Sequence, residues 1–100
     1  MKINPVSDWV GKTAVITGAS SGIGAATARR LAQTGMRVIL VARRQDRLQE
    51  VAENITASSG IAETIAADLT NITDRLSVFE QVAHKYGGAD ILINNAGFGW

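Results

Sequence analysis

The sequence has no cysteine, which excludes disulfides and thiolate metal sites, and its one histidine, His84, cannot build a zinc centre alone. Neither sign of charge prevails: ten Lys and Arg against nine Asp and Glu leave a formal net charge of +1. That balance offers nothing to nucleic acid or to an anionic membrane surface. Long apolar runs are missing too. The longest aliphatic stretch, Val38 to Ala42, is far short of the roughly 20 residues a membrane helix needs. The opening Met1-Lys2-Ile3-Asn4-Pro5 reaches Pro5 and Asp8 before any long apolar stretch, unlike a signal peptide. There is no internal repeat, low-complexity tract or linker. These absences lead to the expectation of a soluble, cytoplasmic protein with neither nucleic acid nor membrane as partner, and of one domain with a modest core.

What is present is an alternation. Four short runs rich in Val, Ile and Ala, at Thr13–Thr17, Arg37–Ala42, Glu63–Ala67 and Asp90–Asn94, are separated by three helical patterns. Nearly continuous apolar strands between helices suit a parallel sheet covered on both faces. The first helix is expected to start inside a glycine motif and to run through Ile23, Ala26 and Leu31 to a terminating Gly35. Leu48, Val51, Ala52 and Ile55 give the second helix one apolar stripe. Ile72, Leu76, Phe79, Ala83 and Tyr86 do the same for the third, which Gly87-Gly88 stops. Asp68-Leu69-Thr70-Asn71 supplies polar capping candidates for its start. The fold class is therefore α/β, a Rossmann-type doubly wound parallel sheet with strand order 3-2-1-4.

The first strand runs into Thr17-Gly18-Ala19-Ser20-Ser21-Gly22-Ile23-Gly24, and a helix follows at once. A strand, a tight glycine turn and a helix N-terminus make an anion site, because unpaired N–H groups and the positive dipole end converge. Gly18 permits the turn, Gly22 allows a pyrophosphate to approach the backbone, and Gly24 allows the helix to pack closely. The spacing differs from G-x-G-x-x-G and lacks the Lys-Ser/Thr ending of a P-loop, which argues against an NTPase. Ser20 and Ser21 can bond phosphate or ribose oxygens, or cap the helix.

On these residues the sequence resembles the short-chain dehydrogenase/reductases. Thr17–Gly24 is similar to that family's TGxxxGxG signature, and Asn94-Asn95-Ala96-Gly97 to its NNAG motif after the fourth strand. The likeness covers nearly all of the chain after residue 9. It implies an oxidoreductase that moves hydride between a nicotinamide cofactor and an alcohol or ketone substrate. A non-catalytic NADP-sensing module of the same fold is the alternative. A methyltransferase-type nucleotide fold would want an acid at the end of the second strand, where Ala42-Arg43 stands.

The same strand end selects the cofactor. An NAD site places Asp or Glu there for the ribose 2′-hydroxyl; here the strand ends Val41-Ala42-Arg43-Arg44. A guanidinium can meet the 2′-phosphate of NADP (NADPH) with two charge-assisted hydrogen bonds. Arg43 resembles the family's NADP-selecting arginine, and Arg44 is either a second contact or a solvated charge at the helix entry. By resemblance, the Asp68 carboxylate accepts from the adenine amino group and the Leu69 backbone completes that contact; without it, Asp68 is a capping candidate. Gly18, Ser20, Ser21, Gly22, Ile23 and Gly24 would line the pyrophosphate. Asn95, Ala96 and Gly97 resemble the segment beside the ribose, and Asn94 a structural tie between strands.

No residue is assigned to catalysis. The family's serine, tyrosine and lysine lie beyond NNAG. Tyr86 does not fit the Tyr-x-x-x-Lys pattern, since Asp90 stands four residues on. His84 is expected to be structural. Trp9 and Trp100 have no assigned role, although Phe98-Gly99-Trp100 could begin a substrate-side loop. Residues 1–100 thus look like a single dinucleotide-binding unit, inert alone, and the N-terminal part of a longer domain of about 250 residues. In that domain a fifth strand would cover Ile91-Leu92-Ile93, and the family likeness implies a homo-oligomer.

Overall fold

The computed structural model describes residues 9–20 and 22–95. Four strands alternate with three helices: β1 (Thr13–Thr17), α1 (Gly22–Gln33), β2 (Arg37–Ala42), α2 (Gln45–Ala57), β3 (Ile61–Ala66), α3 (Ile72–Tyr86) and β4 (Ile91–Asn94). All pairings are parallel and the order is β3-β2-β1-β4, as the alternating pattern predicts. Parallel pairing puts every strand's C-terminal end on one edge, so the turns after β1, β2 and β3 and the Asn95 that follows β4 gather there.

Side-chain alternation divides the central strands between two cores. Ala14, Ile16, Val38 and Leu40 face α1 and α2, meeting Ala25, Ala28, Leu48, Val51 and Ile55. Val15, Ile39 and Val41 face the other way, against Val78 and Val82 of α3. Every residue of β1 is buried.

The second helix buries Leu48, Val51, Ala52 and Ile55, the stripe its spacing predicts. The first helix starts inside the glycine motif and ends before Gly35, as expected, whereas the third turns differently from the sequence reading. In α1 the buried positions are Gly24, Ala25, Ala28 and Ala32, whereas Ile23 is 75% exposed and Ala26 is exposed. The sheet takes the smallest residues, which let the helix axis approach, and not the bulkiest. In α3 the expected stripe lies outward: Ile72, Leu76 and Phe79 are at least half exposed, and Ala83 is exposed as well. The neighbouring row, Val78 and Val82, continues to the half-buried Tyr86 and meets the sheet. Two strand limits also move. β3 spans Ile61–Ala66 because its register on β2 pairs Arg37 with Ile61 and Ala42 with Ala66. Ala67 lies beyond it but still donates to the Ala42 carbonyl at 2.9 Å. β4 starts at Ile91, and Asp90 before it accepts from the Thr13 N–H at 2.8 Å through its carboxylate.

Terminators act as expected: Gly35 has φ +94° and Gly87 φ +77°. Asn71 caps α3, its side chain accepting from the Asp74 N–H at 3.1 Å. His84 is exposed in the last turn of α3.

The end of α3 is fastened to the edge strand. Glu63 of β3 accepts from Lys85 Nζ at 2.8 Å and from the Tyr86 hydroxyl, while the Arg37 guanidinium sits 4.7 Å from the Tyr86 ring centre. This partly buried aromatic ring under a cation is the contact that α3 makes with the N-terminal edge of the sheet. The hydrogen bonds from Lys85 and then Tyr86 hold the Glu63 carboxyl below its ordinary value of 4.5. A carboxyl lowered on folding contributes stability above its unfolded value and loses it as pH falls through the lowered folded one. Glu63→Gln should therefore lower the urea midpoint at pH 7, and the gap from wild type should close as the pH is taken below 4.5. A gap that stays constant into acid would mean the carboxylate charge does not contribute.

Candidate functional site

The candidate site lies along the C-terminal edge of the sheet, where the turn after β1 opens onto α1. Gly18 and Gly22 both adopt left-handed backbone, φ +63° and +60°, which only glycine takes without strain. Beyond Gly22 there is open space: a Cβ built there meets nothing within 4 Å. Gly24 is the opposite case. A Cβ on it would run into the Gly18 carbonyl and lie 2.8 Å from Asn95 Nδ2, so the missing side chain is what lets α1 seat against the ends of β1 and β4. The first turn of α1 holds no acidic residue, whereas α2 and α3 carry Asp46 and Asp74 in theirs. Its positive dipole end thus meets no carboxylate of its own first turn. Left-handed glycines, open space and an uncompensated helix start fit a pyrophosphate.

Thr17, almost wholly buried, joins the two motifs. Its hydroxyl accepts from the Asn95 N–H at 2.9 Å and donates to Asn94 Oδ1 at 3.0 Å. Asn94 is thus the tie between strands expected of it. The sequence reading overlooked Thr17, although the residue opens the glycine motif and its position at a strand end is the signal for such a role.

At the end of β2 the two arginines part. Arg44 is engaged by Asp46, with Nη2 to Oδ2 at 3.3 Å and Nε to Oδ1 at 3.4 Å, and that bond holds the Asp46 carboxyl low. It behaves as a helix-entry charge. Arg43 is exposed and makes no ion pair among the described residues, yet its charge reaches Asp68 and helps to lower that carboxyl.

Asp68 does not cap α3, which Asn71 does. Its Oδ1 accepts from the Thr70 hydroxyl at 2.6 Å and the Thr70 N–H at 3.0 Å. Those bonds are the main reason that its carboxyl sits below the ordinary value of 3.8. Its own N–H donates to Asp74 Oδ2 at 2.8 Å, and its carbonyl accepts from the Asn71 N–H at 2.9 Å. The Leu69 carbonyl accepts from Arg75 Nη1 at 3.5 Å. Thr70 and Asp74 were not foreseen as site residues, although D-x-T is a local side-chain turn pattern and N-x-x-D a capping pattern.

The structure brings Gly18, Ser20, Gly22, Ile23, Gly24, Arg43, Asp68, Leu69 and Asn95 to this one edge, with Ile23 solvent-exposed at the start of α1. Ser21, Ala96 and Gly97 lie outside the described residues. No group of three or more metal-ligating side chains occurs among the described residues, and no helix there is long and apolar enough to cross a membrane.

A parallel sheet ordered 3-2-1-4, with a glycine turn on its first crossover, defines a Rossmann-type dinucleotide fold. The model of the short chain dehydrogenase family matches residues 12–100, and the chain belongs to that family. It is 44% identical over 90 residues to a farnesol dehydrogenase of Aedes aegypti, covering 89% of this chain and 37% of that protein. Among solved structures, a metagenomic short-chain oxidoreductase in complex with NADP superposes with a TM-score of 0.88 at 44% identity, over 92% of this chain and 42% of the other. The L-sorbose reductase of Gluconobacter frateurii, complexed with NADPH and L-sorbose, gives a TM-score of 0.85 at 44% identity, over 92% of this chain and 35% of that one. The chain therefore spans well under half the length of these relatives.

Thr17→Val should remove one acceptor and one donor at an almost wholly buried hydroxyl and cost about 1–3 kcal/mol by urea unfolding. Thr17→Ser should recover most of that. A valine variant as stable as wild type would show that the hydroxyl does not tie β1 to β4.

Proposed function

We propose that the chain is the cofactor-binding part of an NADP-dependent oxidoreductase that acts on an alcohol or ketone. The exposed Arg43 guanidinium carries the cofactor assignment. It stands where an NAD site would place a carboxylate, and the neighbouring Arg44 is already paired. Two relatives, the metagenomic oxidoreductase and the L-sorbose reductase, were solved with NADP or NADPH, and the named activities of the latter and of the farnesol dehydrogenase suit the alcohol or ketone class.

In this reading the N–H groups around Gly18, Ser20, Ser21, Gly22, Ile23 and Gly24 bind the pyrophosphate. Arg43 binds the 2′-phosphate, and Arg44 adds charge nearby. The free oxygen of Asp68 and the Leu69 N–H take the adenine edge, and Asn95, Ala96 and Gly97 flank the ribose. NADPH bound there would supply the hydride. Tyr86 takes no part: its hydroxyl is held by Glu63 and its ring lies under Arg37, the first residue of β2, at the opposite edge of the sheet. Residues 1–100 then form one dinucleotide-binding unit at the N-terminal side of a longer domain of about 250 residues. The outward apolar row of α3 and Leu92 of β4, 51% exposed, fit further structure packed against that side. A homo-oligomer is part of the same proposal.

The test is a titration of the full-length protein and its Arg43→Ala variant with NADPH and NADH. NADPH affinity should fall about tenfold to a hundredfold in the variant, the worth of a charge-assisted contact, and NADH affinity should not change. Equal binding of the two cofactors by wild type would overturn the assignment.

A further inference from the structure

The bonds around Asp68 do more than close a turn. A carboxylate has two oxygens, and here one of them is saturated: Oδ1 takes both donors of Thr70, the hydroxyl at 2.6 Å and the N–H at 3.0 Å. Oδ2 accepts from no group among the described residues, so the carboxyl plane is locked with a single oxygen left for a ligand. The backbone beneath it is locked as well. Asn71 caps α3 by accepting from the Asp74 N–H at 3.1 Å. In a capping box the side chain three residues into the helix would return to the cap residue's own N–H. Here the Asp74 carboxylate instead reaches the Asp68 N–H at 2.8 Å, and the Asn71 N–H turns to the Asp68 carbonyl at 2.9 Å. Asp68 is thus held at its N–H, its carbonyl and one carboxylate oxygen, all from the segment that starts α3.

We propose that Thr70 and Asp74 are positioning residues for base recognition, which fix Asp68 so that one acceptor-only oxygen faces the exocyclic amino group of adenine and rejects a base with an oxo group there. This rests on the reading of Asp68 given above. The low Asp68 carboxyl agrees with it, since a carboxylate that stays ionised cannot donate to an oxo group. Thr70 is exposed, so its hydroxyl is not needed to fill space and its removal leaves the core intact.

The experiment compares the affinity of the full-length protein for NADPH and for its hypoxanthine analogue, in which an oxo group replaces the adenine amino group. Wild type should prefer NADPH. Thr70→Val and Asp74→Ala should each shrink that preference by about threefold to tenfold, the worth of one hydrogen bond, through weaker NADPH binding alone. Thr70→Ser and Asp74→Asn, which keep the hydroxyl and an acceptor oxygen, should restore it. Parallel losses of both ligands in the Val and Ala variants would reveal a merely structural role and overturn the proposal, as would an unchanged preference. Asp68→Asn separates the two levels: preference lost there but kept in Thr70→Val sinks the positioning role alone. Preference kept in Asp68→Asn as well removes the assignment of Asp68 itself.

Discussion

The seating of α1 against the ends of β1 and β4 is possible because Gly24 has no side chain, and the rest of the edge depends on that approach. With the Gly18 carbonyl and the Asn95 amide lying where a Cβ would be, the glycine turn, the helix start and the segment after β4 are drawn into one place. Thr17 keeps them there, because its hydroxyl bonds both Asn94, the last residue of β4, and Asn95, the next one. The apolar core does not by itself impose this closeness. Burial is non-directional and would accept a helix an ångström further out, whereas a backbone contact of this kind admits one arrangement.

Parallel pairing does the remaining assembly. The register aligns Thr17 with Val41 and with Asn94, and Val41 with Ile65, so three crossovers deliver their turns to the same edge without further instruction. The α3 crossover is the one with an extra fastening at its far end, where Glu63, Lys85, Tyr86 and Arg37 meet. That tie holds the helix on the edge strand, and the Asn71 cap holds its start beside Asp68. Between the two, α3 presents Val78 and Val82 to the sheet and turns Leu76 and Phe79 outward.

This arrangement shows what could be read beforehand. β1 and β2 were legible because strands covered on both faces are continuous apolar runs, and α2 because it has a single apolar stripe. In α3 two apolar rows lie side by side, and periodicity cannot choose between them; the bulkier row was the misleading one. In α1 the signal was weak for the opposite reason, since close packing selected Gly24, Ala25, Ala28 and Ala32, residues that contribute little hydrophobicity. β3 is an edge strand with intermediate burial, and its limits follow its partner's register more than its own composition. Of the site, the glycine turn and Arg43 stand out by residue type and position. Thr17, Thr70 and Asp74 do not, because they act on other residues, and their roles become visible only when the distances are known.

Charge on the edge is organised by occupation. Asp46 is bound by Arg44, Asp74 is turned onto the Asp68 N–H, and Asp68 gives one oxygen to Thr70. Each carboxylate near the site is thereby committed to a local donor, which limits its repulsion of an incoming anion. Arg43 has no such commitment among the described residues, and the first turn of α1 holds no carboxylate of its own to quench the dipole. A ligand with two anionic groups would find both free positive features on one edge, set apart by the width of β1 and β2. The sequence balance of ten cations against nine anions conceals this, because net charge averages over groups that are already paired. Where this edge carries free positive charge is therefore set not by the sum of charge but by which arginine is left unpaired among the described residues.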